Sequence, residues 1–226
     1  MGLIRRPPEW GIEPVPENLR QLRAIDIFVF WTSLSIGLLV LQAGALLTQG
    51  LLLPFTYSSI IIVLGSIVGS LILALVGVIG ASYGVPTMVS LRPVFGMKGS
   101  YVPTILNVVQ LIGWTSFELI IMGEAAATIS GPMLGDYTKF LWIIFFATIC
   151  YFMMVFGPLI IIRQWLEKFA LWICLATTCW ISFQIMQHPI DLAWGNVELA
   201  SLLLAFDIVV AMPISWMPLV SDYNRF

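Results

Sequence analysis

Charge is what this sequence has least of. Only 10% of its 226 residues are Asp, Glu, Lys or Arg, against 60% apolar, where soluble domains carry about 25% charged residues. With a mean hydropathy of +1.00, the chain reads as an integral membrane protein. Histidine is reduced to His188 and cysteine to Cys150, Cys174 and Cys179. A lone histidine, with no second His or Cys at ligand spacing, leaves nothing from which to build a metal site. Three cysteines inside apolar runs pack as small hydrophobes and do not form a disulfide framework. The basic residues are too dispersed for a nucleic-acid surface. Neither a His-Glu-x-x-His motif, a paired-aspartate motif nor a serine–histidine combination is present, which argues against an enzyme. Short alternating segments are missing too, so the long apolar runs are helices and not barrel strands.

What is there is a polytopic pattern. Residues 1–23 hold Arg5, Arg6, Pro7, Pro8, Pro14, Pro16, Arg20 and Arg23, a proline-rich cytoplasmic tail expected to be a solvated arm. Prolines follow Arg5-Arg6 where a signal peptide would need an apolar region, so no signal peptide is expected. Residues 24–226 form the transmembrane domain, with six expected spans at about 25–48, 55–80, 101–129, 140–162, 165–186 and 199–220. Gly65, Gly69, Gly77 and Gly80 give the second span faces for close helix contact. Residues 83–103, with Arg92 and Lys98, are too broken to span and read as a structured cytoplasmic loop. Trp142 and Trp194 suit the outer interfacial belt, Trp31 and Trp165 the inner one. An inside amino terminus places nine of the ten Lys and Arg in the cytoplasm and leaves only Lys139 outside, which fixes the expected orientation in a plasma membrane.

Residues 111–127 stand apart, because an apolar run carries Trp114, Glu118 and Glu124. A carboxylate at bilayer depth costs about 2.5–3.5 kcal/mol on insertion scales and usually marks a site or pathway. At about 100° per residue, Trp114 and Glu118 lie about 40° apart on one helix face, while Glu124 points about 120° away from Glu118. Trp114 and Glu118 can therefore line one cavity. Glu124 stays unassigned.

The first and sixth spans echo one another. Residues 24–29, Ala-Ile-Asp-Ile-Phe-Val, and residues 205–210, Ala-Phe-Asp-Ile-Val-Val, are identical at four of six positions. Each is followed by residues that loosen a helix: Thr32, Ser33, Ser35 and Gly37 in one, Pro213, Ser215 and Pro218 in the other. Paired interruptions point to an inverted-repeat transporter with its site at the breaks. On that reading the first five spans are one repeat and the sixth opens the second, so the chain is expected to be a truncated version of a protein about twice as long. An inactive half-length fragment, or a membrane scaffold needing a second half, is the alternative.

Three motifs sharpen the reading. Gly84-Val85-Pro86-Thr87-Met88 with the run from Arg92-Pro93-Val94 to Tyr101-Val102-Pro103, then Gly113-Trp114, then the run from Trp216-Met217-Pro218 to Asn224-Arg225-Phe226, resemble the purine-cytosine permease, or nucleobase:cation symporter-1, family. Within it the chain looks closest to the cytosine permease and hydroxymethylpyrimidine-transporter-like branch. The resemblance implies an all-α, LeuT-like fold, of which this chain holds the first repeat and the sixth helix. It implies a monomeric secondary transporter in the lipid bilayer, importing a nucleobase or related pyrimidine with Na+ or H+ and without a cofactor. By position, Trp114 matches a tryptophan that stacks on the planar ring and Glu118 the polar residue that hydrogen-bonds it. Gly37, Pro213 and Trp216 are further substrate candidates, and Ser33 and Ile36, at the first-span break, are cation candidates. The family's sixth-helix aromatic falls near Pro213, with Trp216 a turn later, and the eighth-helix hydroxyls of a sodium site are absent from the chain.

Overall fold

The computed structural model describes residues 10–131, 135–155, 169, 171–190 and 192–226, and among them it is helical throughout with no strand. The first apolar run is two helices, α1 (Ala24–Leu34) and α2 (Leu38–Gln49). They meet at a bend of 56°. Ser33 and Ser35 turn their hydroxyls back onto the carbonyls of Phe30 and Thr32, at 2.7 and 2.9 Å, and Gly37 is extended. Hydroxyls that compete for backbone groups, followed by glycine, end a helix where leucines would have continued it.

α3 (Phe55–Tyr83) follows, stopped by Gly84 in the left-handed conformation at φ 68°, as a helix C-cap requires. The loop expected after it folds into two short helices, α4 (Thr87–Ser90) and α5 (Arg92–Gly99). α6 (Tyr101–Ser130) and α7 (Thr138–Val155) pack side by side. α8 (Leu171–Met186) is the described part of the expected fifth span. Arg163, Trp165, Glu167 and Lys168 lie outside the described residues. The last apolar run is α9 (Leu199–Ile214) and α10 (Met217–Asn224), parted at Ser215 and Trp216. Among the described residues, four segments are long and apolar enough to cross a membrane: Phe55–Tyr83, Tyr101–Ser130, Thr138–Val155 and Leu199–Asn224. The bent pair α1–α2 makes a fifth.

Small residues, not bulky ones, hold the bundle. Gly65, Gly69, Gly77 and Gly80 are the buried stripe of α3, and α9–α10 lies along it. A Cβ on Gly69 would come within 2.7 Å of both the Pro213 ring and the Val210 carbonyl, and one on Gly80 would overlap Ser221. Gly65 meets Val209 and Gly69 meets Pro213, the same step of four on both helices, so the two segments run parallel. The large side chains point the other way, with Leu71, Leu75 and Val78 of α3 at 60–72% exposure. That arrangement suits lipid, which gives bulky side chains no reason to hide and leaves helix contact to close backbone approach. At the amino-terminal end of α3 the seam thickens into an apolar cluster of Leu47, Leu53, Ile61, Ala205 and Val209.

Two expectations are refined at the opposite end. Along residues 10–22 the proline-rich tail is mostly exposed, but it is pinned to the bundle. Val15 is 1% exposed and its N–H bonds the Gly84 carbonyl at 2.9 Å, while Leu22 N–H reaches the Phe226 carbonyl at 2.8 Å. Arg20 donates to the carbonyls of Val15, Ala81 and Ser82, and Arg225 to those of Gly11 and Trp10. Two guanidiniums thus satisfy the free carbonyls that proline-rich backbone and a helix end leave behind. Trp31 also has partners inside the protein. Its indole N–H donates to Asn224 Oδ1 at 3.1 Å, and with Phe30, Trp216 and Tyr223 it forms an aromatic cluster that joins α1 to α10.

Gly80→Val should destabilise the protein by about 1–3 kcal/mol, the usual cost of overpacking, read as a lower thermal midpoint in detergent, whereas Leu75→Val on the exposed side of α3 should leave it unchanged. Replacing Arg20 and Arg225 together by Met should free residues 10–22, read as faster limited proteolysis there than in the unmodified protein.

Candidate functional site

α6 tolerates Pro103 because a first-turn proline gives up only an N–H that has no partner in the helix. Further along it, Asn107, Gln110, Trp114 and Glu118 fall at steps of three, four and four and form one polar stripe. Asn107 is buried at 8% exposure; Gln110, Trp114 and Glu118 are half-buried. Gln110 Nε2 donates to the Ser215 carbonyl at 2.7 Å. Among the described residues, Trp114 makes no ring contact or hydrogen bond and Glu118 no hydrogen bond or ion pair. An indole face and a carboxylate without internal partners, one turn apart, are groups ready to meet a third molecule.

The first-span break adds main-chain acceptors. Among the described residues no main-chain N–H reaches the carbonyls of Ser33, Ser35 or Ile36. The Ser33 hydroxyl donates to the Phe30 carbonyl, which leaves its oxygen lone pairs and the residue's own carbonyl as acceptors. Gly37 faces open space, with no atom within 4 Å of where a Cβ would stand. The two sixth-span candidates are occupied otherwise: the Pro213 ring presses on Gly69 of α3, and Trp216 stands edge-on to Trp31 at 6.2 Å between ring centres. A shallow apolar hollow of about 310 Å³ lies on a neighbouring face of α6, lined by Val108, Leu111, Ile112, Thr115 and Ser116. Neither Trp114 nor Glu118 contributes to it.

Glu124, left unassigned above, pairs with Lys139 at the start of α7. Its angular separation from Glu118 is therefore a division of labour: Glu124 faces α7, and Glu118 shares its stripe with Trp114. Gln110 was overlooked because an amide in an apolar run carries no charge to flag it. Its position, one turn before Trp114, was the available signal.

Residues 14–226 match the model of a family described as permeases for cytosine/purines, uracil, thiamine and allantoin. The chain belongs to this permease family. It is accordingly a multi-pass membrane chain of a transporter family and not of an enzyme family. A curated relative, the putative purine-cytosine permease YxlA of Bacillus subtilis (strain 168), is 27% identical to this permease over 221 residues. That alignment covers 95% of the present chain and 46% of the relative, so the chain spans about half the relative's length. No solved structure matches.

The ion pair makes a separable prediction. Glu124→Lys and Lys139→Glu should each lower the yield of folded protein through like-charge contact, and the double exchange should restore it, measured by size-exclusion chromatography of fluorescently tagged protein.

Proposed function

We propose that this permease segment carries the binding wall of a secondary active transporter importing a nucleobase or related pyrimidine together with Na+ or H+. The observation that carries the reading is the unpartnered pair Trp114 and Glu118 on one face of α6. A planar heterocycle stacks on the indole, which is worth about 1–3 kcal/mol in comparable base-binding sites. The Glu118 carboxylate accepts two N–H bonds in the ring plane, the pattern that an aminopyrimidine edge offers. Gly37 leaves room at the first break, Pro213 and Trp216 shape the second, and the carbonyls near Ser33 and Ile36 hold the coupled cation.

Two further features support six spans arranged as the first repeat of a LeuT-like fold plus the helix that opens the second. Nine residues after Asp26 the chain is at Ser35, and nine residues after Asp207 it is at Trp216, each within its break. The parallel course of α3 and α9–α10 also requires an odd number of crossings between them. α6 and α7 supply two, and the segment containing α8 the third. The positive-inside count then sets the amino terminus in the cytoplasm of a plasma-membrane protein.

A second reading is favoured by coverage of less than half of the relative: a chain that binds or transports only when joined to a complementary half. Uptake of labelled cytosine and hydroxymethylpyrimidine under imposed Na+ and pH gradients, compared between cells expressing residues 1–226 alone and cells expressing the full coding sequence, separates the two readings. Under the first, Trp114→Ala should cut uptake by more than about tenfold and Glu118→Gln should raise KM by about tenfold, the factor that about 1.4 kcal/mol supplies. Unchanged uptake in both variants would remove Trp114 and Glu118 from the site.

A further inference from the structure

We infer that Gln110 is a positioning residue, tying the helix that presents Trp114 and Glu118 to the broken backbone of the sixth segment. The inference deepens the site reading above and rests on it for its link to transport. Its own basis is hydrogen-bond accounting at the break. In a continuing helix the Ser215 carbonyl would accept from the residue four ahead, or from the residue three ahead in a tighter turn. Three ahead is Pro218, which has no N–H. Four ahead is Leu219, whose N–H goes to the Trp216 carbonyl at 3.0 Å. No local donor remains for Ser215. The side-chain amide of Gln110 fills the vacancy at 2.7 Å, from a helix more than a hundred residues away in sequence.

Location gives this bond its consequence. An unpaired carbonyl within a membrane costs several kcal/mol, so the break is held by whichever group supplies the donor. Gln110 stands one turn before Trp114 and two before Glu118 on the same stripe, and α6 is unbroken from Tyr101 to Ser130. On the far side of the bond, Ser215 adjoins Trp216, whose ring meets Trp31 of α1. The Gln110–Ser215 bond therefore fixes the spacing between the ring platform and both interrupted spans. Displacing either break pulls on the helix that holds the substrate.

The test reads the break directly, in protein expressed from the full coding sequence and reconstituted in lipid nanodiscs. Gln110→Met keeps the volume and removes the donor. It should speed amide hydrogen exchange in a peptide covering residues 214–220 by roughly fivefold, the factor that one ordinary amide–carbonyl bond supplies. Gln110→Glu gives a second arm. Ionised, its carboxylate faces a carbonyl and repels it; protonated at acid pH, its O–H donates to Ser215. Exchange in that variant should match the unmodified protein at acid pH and exceed it at neutral pH, each compared at the same pH. If either variant fails to fold, recovery of the folded protein by Gln110→Glu at acid pH alone is the same result read through stability. Exchange unaltered in Gln110→Met, or a Gln110→Glu protein no better at acid than at neutral pH, overturns the inference. Substrate takes no part in these measurements, so an error in the Trp114 and Glu118 assignment shows only in uptake. With that assignment intact, Gln110→Met should raise KM for uptake several-fold while leaving the amount of protein in the membrane unchanged.

Discussion

Everything in this bundle depends on how close α3 comes to the sixth segment. The contact is main chain against side chain, with Gly69 and Gly80 meeting Pro213 and Ser221 at distances a methyl group would close. In water such a seam would bury too little apolar area to matter. In lipid, bulky side chains gain nothing by leaving the solvent, and dispersion between closely apposed backbones becomes the main attraction. The seam also sets geometry. Because it extends from Gly65 to Gly80, it fixes the sixth segment on both sides of its break, so Ser215 and Trp216 are presented at a defined height beside α6.

Broken helices are the second constraint, and they explain why polar side chains gather where they do. Each interruption strands backbone groups in a medium that offers no water. At the sixth-segment break a glutamine from a distant helix supplies the missing donor. At the first break the acceptors at Ser33, Ser35 and Ile36 receive no main-chain N–H among the described residues, and this is the place where a bound cation would be least costly to hold. One break satisfies its backbone with protein; the other leaves acceptors open among the described residues.

Much of this was legible in the sequence. Apolar length marked the spans described here, glycine spacing marked the packed face of α3, and the hydroxyl-rich run before Gly37 marked the first break. The separation of Glu118 from Glu124 followed from helical periodicity alone, although the Lys139 partner did not, since two helices meeting is a property of packing. The internal partners of Trp31 were hidden for the same reason. A tryptophan near a span end fits an interfacial belt by composition, and only the fold shows Asn224 waiting for its N–H. The anchoring of the tail was not legible because proline-rich polar segments lack the means to build a core of their own. Residues 10–22 build none: they borrow one from the ends of α3 and α10.

That borrowing has a consequence for how the molecule is made. The segment holding Trp10, Gly11, Val15 and Leu22 is synthesised well before two of its anchors, Arg225 and Phe226. The strap can meet Ala81, Ser82 and Gly84 early, but its binding surface is complete only after the chain has been synthesised through Phe226. Assembly of the bundle therefore begins with an open end, and docking of the strap is completed only after the sixth segment has been threaded beside α3.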